Sequence, residues 1–295
     1  EMLKSSLATN RTGLAREILA RADASLPPDR RAALHVYGAK IAAAEGKWDE
    51  TLRFVALALS SADADVRTIE VDLRAIRQRD PSNPQAHFLL GETLLRLGRE
   101  NEALDSFRRC LDLSGAFRKE IRETLERLIP LSIKPWLISG LLGELLWLDG
   151  ATDDALRCLS TAQKGPRESL AQLGISIERL RAAAPDDTRL ALLSARNLSL
   201  ETRDAECVSI LEGLVARDES LVREAADILV SIVAERPAQC DANRLLARVL
   251  ARAGDVAESR RAVIRIMSDE TADPAAIDVI VAEFLPLHET NAEFL

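Results

Sequence analysis

The chain is poor in the residues that carry most enzyme and metal chemistry. Of its 295 residues three are histidine, His35, His87 and His288, and none of them lies near a cysteine in the sequence. Histidine is the commonest proton-transfer group and metal ligand, so both kinds of chemistry have few candidate residues here. The motifs of nucleotide-binding loops, zinc proteases and serine hydrolases are also absent. We therefore expect a protein without catalytic activity, cofactor or metal.

Features that favour nucleic-acid binding are scarce as well. Aromatic residues make up 3% of the chain, and the net charge is -8. Binding to phosphates needs clustered lysine and arginine, and binding to single strands uses aromatic rings on which bases stack. The composition therefore argues against a nucleic-acid partner.

Long apolar runs are missing too. The most apolar stretch, Trp136 to Leu148, is interrupted by Glu144, and it is well short of the roughly 20 residues that span a bilayer. We expect no membrane insertion.

The four cysteines, Cys110, Cys158, Cys207 and Cys240, are far apart and form no C-x-x-C motif. This spacing predicts neither a zinc site nor a disulfide framework, so we expect buried thiols in a reducing compartment. The expected location is the cytoplasm, and the periplasm stays open as an alternative.

What the sequence does contain is clearest between Asn83 and Gly115. Asn83 can cap a helix, Pro84 suits its first turn, and Gly98 can adopt the left-handed conformation that ends it. A second helix follows from about Arg99. Apolar residues recur at helical spacing on both helices, so each has one buried stripe.

Small residues lie where the two stripes must cross. Gly91 on the first helix and Ala103 on the second let the backbones approach closely. The L-L-G at residues 89–91, Ala103, Phe107 four residues later and the span of about 34 residues resemble a tetratricopeptide repeat. This resemblance implies an all-α, right-handed solenoid of helix pairs and a role in protein binding.

The repeat in this chain has an unusual length. The turn glycines are separated by 52, 52 and 104 residues; these are Gly46, Gly98, Gly150 and Gly254. A proline ends every third helix, and successive prolines are separated by 49, 55, 52 and 49 residues; these are Pro81, Pro130, Pro185, Pro237 and Pro286. Tetratricopeptide repeats recur near 34 residues. We predict a helix pair plus a third helix in each unit of about 52 residues.

The predicted helices outside 83–115 cover residues 3–9, 13–24, 31–45, 48–60, 66–79, 117–129, 136–148, 152–163, 167–184, 188–198, 203–216, 220–236, 243–253, 255–267 and 274–285. The pair at 188–198 and 203–216 lacks a turn glycine. Short connections make successive helices antiparallel, so with three helices per unit successive first helices point in opposite directions. We expect one domain over residues 1–295, with a sub-boundary near 130–135, and a groove altered from that of ordinary tetratricopeptide arrays.

Candidate binding residues fall into two groups. Some members of the resembled family clamp a carboxylate with lysine, asparagine and arginine, and this pattern is not reproduced here. An apolar group with flanking acids lies in the middle of the chain: Phe88, Glu92, Glu144 and Trp147. A basic ladder, Arg244, Arg248 and Arg252, lies on one helix face, either as a docking patch for an acidic segment or as a solvated face paired with Asp241, Asp255 and Glu258. His87 is expected to pack rather than to bind a ligand.

The expected function is a protein–protein interaction scaffold that binds a protein or peptide through the solenoid surface. The alternative is a regulatory or targeting arm of a larger bacterial protein, of a secretion, polysaccharide or glycosyltransferase system. Two observations bear on this alternative. The first residue is Glu1, not methionine, and arginine far outnumbers lysine, which is typical of proteins from GC-rich bacteria. If the outer face of the last helix, with Phe284, is uncovered, we expect a homodimer through it.

Overall fold

The computed structural model describes residues 12–25, 31–61 and 64–268, together with residues 282 and 284. This part of the chain is all-helical. Its fifteen long helices are α1 (Thr12–Ser25), α2 (Arg31–Ala44), α3 (Trp48–Leu59), α4 (Val66–Arg79), α5 (Pro84–Arg96), α6 (Glu100–Leu113), α7 (Arg118–Leu128), α8 (Pro135–Leu148), α9 (Thr152–Ala162), α10 (Arg167–Ala183), α11 (Thr188–Leu200), α12 (Asp204–Arg217), α13 (Val222–Glu235), α14 (Cys240–Arg252) and α15 (Val256–Met267).

Local side-chain chemistry sets the limits of the α5–α6 pair. The Asn83 side chain accepts a hydrogen bond from the Ala86 N–H at 3.1 Å, and Pro84 occupies the first turn of α5. At the other end Gly98 has a φ of 72°, and the Arg99 N–H donates to the Leu94 carbonyl at 2.9 Å. This left-handed glycine with a six-to-one hydrogen bond is a Schellman motif, which satisfies the last carbonyls of a helix.

The same turn occurs five times at a constant interval. Gly46, Gly98, Gly150 and Gly254 have φ values of 72° to 83°, and Thr202 has a φ of 63°. Thr202 therefore occupies the place of the glycine that the fourth helix pair lacks. The five turns lie 52 residues apart throughout, which confirms the predicted period.

Helix packing follows this period. The extensively packed pairs are α2–α3, α5–α6, α8–α9, α11–α12 and α14–α15. The third helices α4, α10 and α13 pack on the helix that follows them more than on the helix that precedes them. Each unit therefore consists of a tetratricopeptide-like pair and one further helix, as the sequence predicts.

One predicted helix boundary is wrong, and two predicted helices fall wholly or mostly outside the described residues. α14 begins at Cys240, not at Asn243 as predicted, because Asn243 does not cap the helix but lies inside it, where its side-chain amide donates to the carbonyls of Pro237 and Gln239. The predicted helix at 3–9 lies outside the described residues. So does the predicted helix at 274–285, except for residues 282 and 284, which are helical.

The chain divides into two compact units, Glu1–Leu131 and Ser132–Leu295. In the first unit, buried side chains of α2 to α6 form the largest apolar cluster. In the second, α11 to α15 form the largest cluster, and Phe284 is buried in it. The single domain and the right-handed curvature concern how the two units are arranged, and both stay predictions.

Small residues do lie where paired helices cross. A Cβ added to Gly91 would overlap the ring of Phe107, and one added to Gly143 would lie 2.7 Å from Leu159 Cγ. Both large side chains are fully buried. Gly91 and Gly143 are therefore required by the close approach of their pairs, as predicted from the sequence.

Candidate functional site

Phe88 lies among other aromatic rings of the first unit. Its ring stacks on that of Phe117, with 5.1 Å between the ring centroids and an angle of 18°, and lies 6.1 Å from the ring of Phe107. The side chain is half-buried. These contacts give Phe88 a packing role, and its role in binding stays a prediction.

Glu92, one turn further along α5, is half-buried beside a cavity of about 370 Å³ that Arg96 and Arg127 also line. Burial raises the pKa of its carboxyl above the ordinary value, and the two guanidinium groups oppose that shift. A partly desolvated carboxyl of this kind could accept a donor, but it faces two arginines of its own unit.

Glu144 and Trp147 lie on α8 in the second unit. The Glu144 side chain is 17% exposed, and its Oε1 lies 4.0 Å from Arg179 Nη1. Trp147 is half-buried against the apolar cluster that contains Leu159 and Leu170. Both side chains therefore contribute to packing within the second unit.

The basic ladder lies on α14. Arg244 and Arg248 are half-buried, Arg252 is exposed, and Arg248 Nη1 lies 3.5 Å from Glu212 Oε1. Two acids considered as partners have other contacts: Asp255 caps α15 by accepting from the Glu258 N–H, and Glu258 pairs with Arg261. The ladder is thus anchored to α12, and its docking role stays a prediction.

The predicted residues do not form one site. Phe88 and Glu92 belong to the first unit, and the other predicted residues belong to the second. Within the described part of the second unit, α8 and α14 do not pack on each other.

His87 has the predicted packing role. It is buried, and its Nε2 lies 3.0 Å from the Pro81 carbonyl oxygen. Burial lowers the pKa of His87. Cys110 and Cys207 are buried free thiols, and burial raises the pKa of Cys110 to about 11 and that of Cys207 to about 12.

Sequence reasoning missed a cleft between helices of the second unit. α10 packs on α11, and α11 packs on α12, but α10 and α12 do not pack closely on each other in the described structure. The space between them is a cleft of about 870 Å³ with α11 as its floor. We call it the α10–α12 cleft.

The floor of the α10–α12 cleft is polar and buried. Ser194 and Asn197, which are 2% and 1% exposed, line it from α11. The Asn197 amide donates to the Leu170 carbonyl at 3.2 Å and to Glu201 Oε1. Its Oδ1 is buried and has no hydrogen-bond partner. The side-chain carbonyl oxygens of Gln163 and Asn243, which do not line the cleft, are also buried without a partner, so this feature is not particular to the cleft.

Charged residues line both walls. On α10, Glu178 accepts from Ser194 Oγ at 2.6 Å and from Arg181 Nη1 at 2.8 Å. On the other wall, Arg203, the residue before α12, donates to Glu206 at 2.8 Å, and this hydrogen bond lowers the pKa of the Glu206 carboxyl. Each of these ion pairs joins residues three positions apart on the same wall. Among the described residues no ion pair crosses from α10 to α12.

The corresponding place in the first unit, two repeats earlier, is bridged. There α4 and α6 flank α5 as α10 and α12 flank α11. Arg74 Nη2 donates to Glu102 Oε2 at 2.9 Å, and Arg99 Nη1 donates to Glu70 Oε1 at 2.6 Å. Both bonds join α4 to α6 and tie the two walls together.

Two substitutions remove these bridges in the second unit. Counted by the turn residues Gly98 and Thr202, Arg203 and Glu206 stand where Arg99 and Glu102 stand in the first unit. Gly174, however, replaces Glu70, and Glu178 replaces Arg74. Aligning the third helices of the repeat would have revealed this difference from the sequence alone.

A tetratricopeptide-repeat family model matches residues 72–116 and 210–274, which together make up roughly a third of the chain. The chain carries tetratricopeptide-like repeats. The matched segments contain the α5–α6 and α14–α15 pairs, whereas α10 and α11 lie outside both. The α10–α12 cleft therefore lies largely in tetratricopeptide-like helices that the family model does not match.

Several solved structures of tetratricopeptide-repeat and related proteins are similar to this chain. One is the C-terminal part of a repeat protein of Cytophaga hutchinsonii, at 12% identity and a TM-score of 0.25, covering 94% of this chain and 97% of that one. Another is the P58(IPK) tetratricopeptide domain, at 14% identity and a TM-score of 0.21, covering 99% and 98%. A third is the human IFIT1 dimer with PPP-AAAA, at 12% identity and a TM-score of 0.25, covering 99% of this chain and 72% of that one. No curated protein matches.

Two searches of the described residues were negative. They contain no group of three or more histidine, cysteine, aspartate or glutamate side chains placed to hold a metal ion. No described helix is long and apolar enough to cross a membrane.

Proposed function

We propose that this protein is a non-catalytic scaffold that binds a partner protein, and that the α10–α12 cleft is its binding surface. Tetratricopeptide repeats, whose family model matches two segments here, generally mediate protein–protein interaction. The observation that carries the proposal is the open cleft of about 870 Å³ at a place where two ion pairs bridge the corresponding helices of the first unit.

The lining of the cleft suits a protein segment. Ile175 and Ile210 lie on opposite walls with Leu198 between them, and Ile175 is 50% exposed. Burying such surface is favourable by about 25 cal/mol per Å². Polar groups converge on the same space from the floor and walls, and apolar surface with a few placed polar groups is the usual character of a binding pocket.

A photo-crosslinking experiment tests this proposal. Benzoyl-phenylalanine is placed at Ser209 on the cleft wall or, as the matched control, at Asp105, the equivalent exposed position on α6 of the first unit, where ion pairs bridge α4 and α6. We expect a partner from the source lysate to be crosslinked from position 209 and not from 105. The partner is identified by mass spectrometry, produced recombinantly and bound again.

Closing the cleft supplies the decisive variant. A Cβ at position 174 would lie 2.9 Å from Glu201 Oε1, so the variant combines Gly174→Glu and Glu178→Arg with Glu201→Leu, which installs the residues of the bridged place, Glu70, Arg74 and Leu97. This triple variant should abolish crosslinking from position 209. Persistent crosslinking in that variant would contradict the proposal. Loss of the partner on substituting Arg244, Arg248 and Arg252 by glutamate, with the cleft variant unaffected, would move the binding surface to the basic ladder.

A further inference from the structure

We infer that a cavity between α5 and α7 of the first unit accepts a tryptophan side chain of a partner protein. This is the cavity of about 370 Å³ beside Glu92, and we call it the α5–α7 cavity. The inference goes beyond the proposed function, because it concerns a second place, in the other unit. It comes from comparing two equivalent places in one chain, of which one is filled by the chain's own tryptophan.

The two places correspond residue by residue at the 52-residue period. The α5–α7 cavity is lined by Glu92, Leu95, Arg96, Thr124, Arg127 and Leu128. Their equivalents in the second unit are Glu144, Trp147, Leu148, Ser176, Arg179 and Leu180. One contact supports this correspondence, because Glu144 Oε1 lies 4.0 Å from Arg179 Nη1 and the equivalent Glu92 and Arg127 line one cavity. Trp147 therefore stands in the place of Leu95.

In the second unit this place is filled. Trp147 on α8 packs against an apolar cluster that contains Ile177 and Leu180 of α10, and α8 and α10 pack on each other. In the first unit the smaller Leu95 packs against the cluster of α2 to α6, whose described members include no residue of α7. α5 and α7 do not pack closely on each other in the described structure. The cavity thus lies where the second unit holds an indole.

Glu92 supplies a hydrogen-bond acceptor to the cavity. Its carboxylate is half-buried, and no described group donates a hydrogen bond to it. The guanidinium groups of Arg96 and Arg127 donate to backbone carbonyls instead. The carboxylate oxygens are not among the fully buried atoms without a partner, so they keep accessible surface. A side chain that enters the cavity and carries a donor therefore gains a hydrogen bond there.

The charges of the lining disfavour a cation as that donor. Two guanidinium groups accompany one carboxylate, so a lysine or arginine of the partner would add a third positive charge beside them. An indole brings one N–H donor without a charge. A charge-assisted bond to Glu92 is stronger than a bond between neutral groups.

The remaining lining residues suit an aromatic ring. Leu95 and Leu128 offer apolar surface, and aromatic side chains bury a large apolar area. Arg96 and Arg127 are exposed at the surface of the cavity, where a guanidinium can lie over the face of an indole. The chain itself contains such a contact, since the Arg79 guanidinium carbon lies 4.9 Å from the centre of the Trp48 ring.

An NMR titration of the whole chain tests the inference. The threonine methyl groups are 13C-labelled, and the probe is N-acetyl-tryptophan amide. We expect saturable shifts of Thr124, which lines the cavity, because the rings of a bound indole shift nearby methyl signals. Thr51 in α3 and Thr161 in α9 do not line it and should not shift. No shift at Thr124, or equal shifts at all three threonines, would overturn the inference.

Changing one atom of the probe tests the role of Glu92. The 1-methyl-indole analogue lacks the N–H donor and should bind about tenfold more weakly, because it leaves the carboxylate without its hydrogen bond. Glu92→Gln should reduce this preference to about twofold, since the bond is then no longer charge-assisted. Glu123→Gln, at an exposed acid of α7 outside the lining, should leave it unchanged. Equal binding of the two probes to the unaltered chain would show that Glu92 selects no donor and would overturn the inference.

Filling the cavity from within gives a second test. Leu95→Trp places an indole of the chain where Trp147 lies in the second unit, and it should abolish the shift of Thr124 by the probe. Val230→Trp adds an indole at a position of the second unit that is 49% exposed, and it should leave binding unchanged. The Thr51 and Thr161 signals report whether each variant keeps its fold. Undiminished binding to folded Leu95→Trp would contradict the inference, and the comparison of probes decides on the unaltered chain if this variant does not fold.

The outcome is separable from that of the proposed function. Crosslinking from position 209 reports on the second unit, and the Thr124 signal reports on the first. If position 209 crosslinks a partner and Thr124 does not shift, the α10–α12 cleft stands and the tryptophan site falls. The reverse result leaves the tryptophan site and removes the cleft.

Discussion

At the scale of single residues, Thr202 is the position where sequence and backbone disagree most. It alone among the described non-glycine residues has a positive φ, which is a genuine outlier for a β-branched side chain. Tertiary hydrogen bonds from α10 hold it there: Arg167 Nη2 donates to the Glu201 carbonyl at 3.0 Å and to Thr202 Oγ1. The repeat therefore imposes the glycine conformation on a residue that disfavours it.

We expect Thr202→Gly to stabilise the protein by about 0.5 to 1 kcal/mol. The left-handed conformation costs an L-residue roughly 1–2 kcal/mol, and the greater freedom of glycine in the unfolded chain offsets part of the gain. The free energy of unfolding is measured by urea denaturation. The reciprocal change Gly150→Thr, at the equivalent turn one 52-residue unit earlier, should destabilise by about 1–2 kcal/mol. Destabilisation by Thr202→Gly would show that the Arg167 contact outweighs the strain.

His87 is a second position where one residue has a measurable consequence. Burial lowers its pKa below the ordinary value of 6.5, Arg77 and Arg109 lower it further, and the Pro81 carbonyl and Asp80 oppose the shift. The unfolded chain therefore takes up the proton first as the pH falls. Stability contributed by neutral His87 is present above pH 6.5 and is lost below it.

We therefore expect the free energy of unfolding to fall between pH 7 and pH 5, and we expect His87→Gln to reduce that fall, because the variant has no group there whose pKa burial lowers. Urea denaturation at pH 7, 6 and 5 measures both proteins. An identical pH dependence in wild type and variant would mean that His87 does not titrate differently in the two states.

At the scale of helices, most of the architecture could be predicted from the sequence because residues that start and end helices occur at nearly every helix boundary. Asn83 caps α5, glycines end the first helices, and prolines follow the third helices. The errors have physical causes. Thr202 carries no turn signal because tertiary contacts hold its backbone, and α14 begins at Cys240, three residues early, because Asn243 bonds to the preceding turn instead of capping.

Crossing helices give a prediction at the same scale. Because Gly91 faces the fully buried Phe107 ring, Gly91→Ala should destabilise by about 1–3 kcal/mol through overpacking. At the equivalent positions of the α2–α3 pair the chain has Ala39 and Val55, both buried. The double variant Gly91→Ala with Phe107→Val should therefore lose less stability than the two single substitutions lose when their effects are added.

A double-mutant cycle measured by thermal and urea denaturation gives the coupling, and we expect at least about 1 kcal/mol. The matched control is Gly13→Ala in α1, where an added Cβ meets nothing within 4 Å. Additive effects of Gly91→Ala and Phe107→Val would show that the two side chains do not compete for the same space.

At the scale of the whole molecule, the candidate site could not be predicted in the same way. Charge patterns on single helices pointed to Arg244, Arg248 and Arg252, since spacing along one helix is visible in the sequence. The α10–α12 cleft lacks the ion pairs that bridge α4 and α6 in the first unit, and the importance of Gly174 and Glu178 is visible only by comparison with that distant repeat. A site defined by the absence of a contact leaves no local pattern.

The period itself is the property of the whole chain that a deletion can test. Removing residues 151–202 joins Gly150 to Arg203 and deletes one 52-residue period. α8 is then followed by α12, and Gly143 faces Leu211 instead of Leu159, which keeps a glycine opposite a leucine. We expect a cooperatively unfolding protein with unchanged helicity per residue by circular dichroism.

The control deletion removes residues 151–184, one ordinary tetratricopeptide length of about 34 residues. It joins Gly150 to Pro185, so that α11, a first helix, follows α8, another first helix, and each presents a small residue, Gly143 and Ala195, at the crossing. Two small residues at one crossing leave a void, which costs stability in proportion to its volume. Broad, non-cooperative unfolding is expected for this variant. If it unfolded as sharply as the 52-residue deletion, the helices would be interchangeable, and the three-helix unit would have no role in specifying the packing.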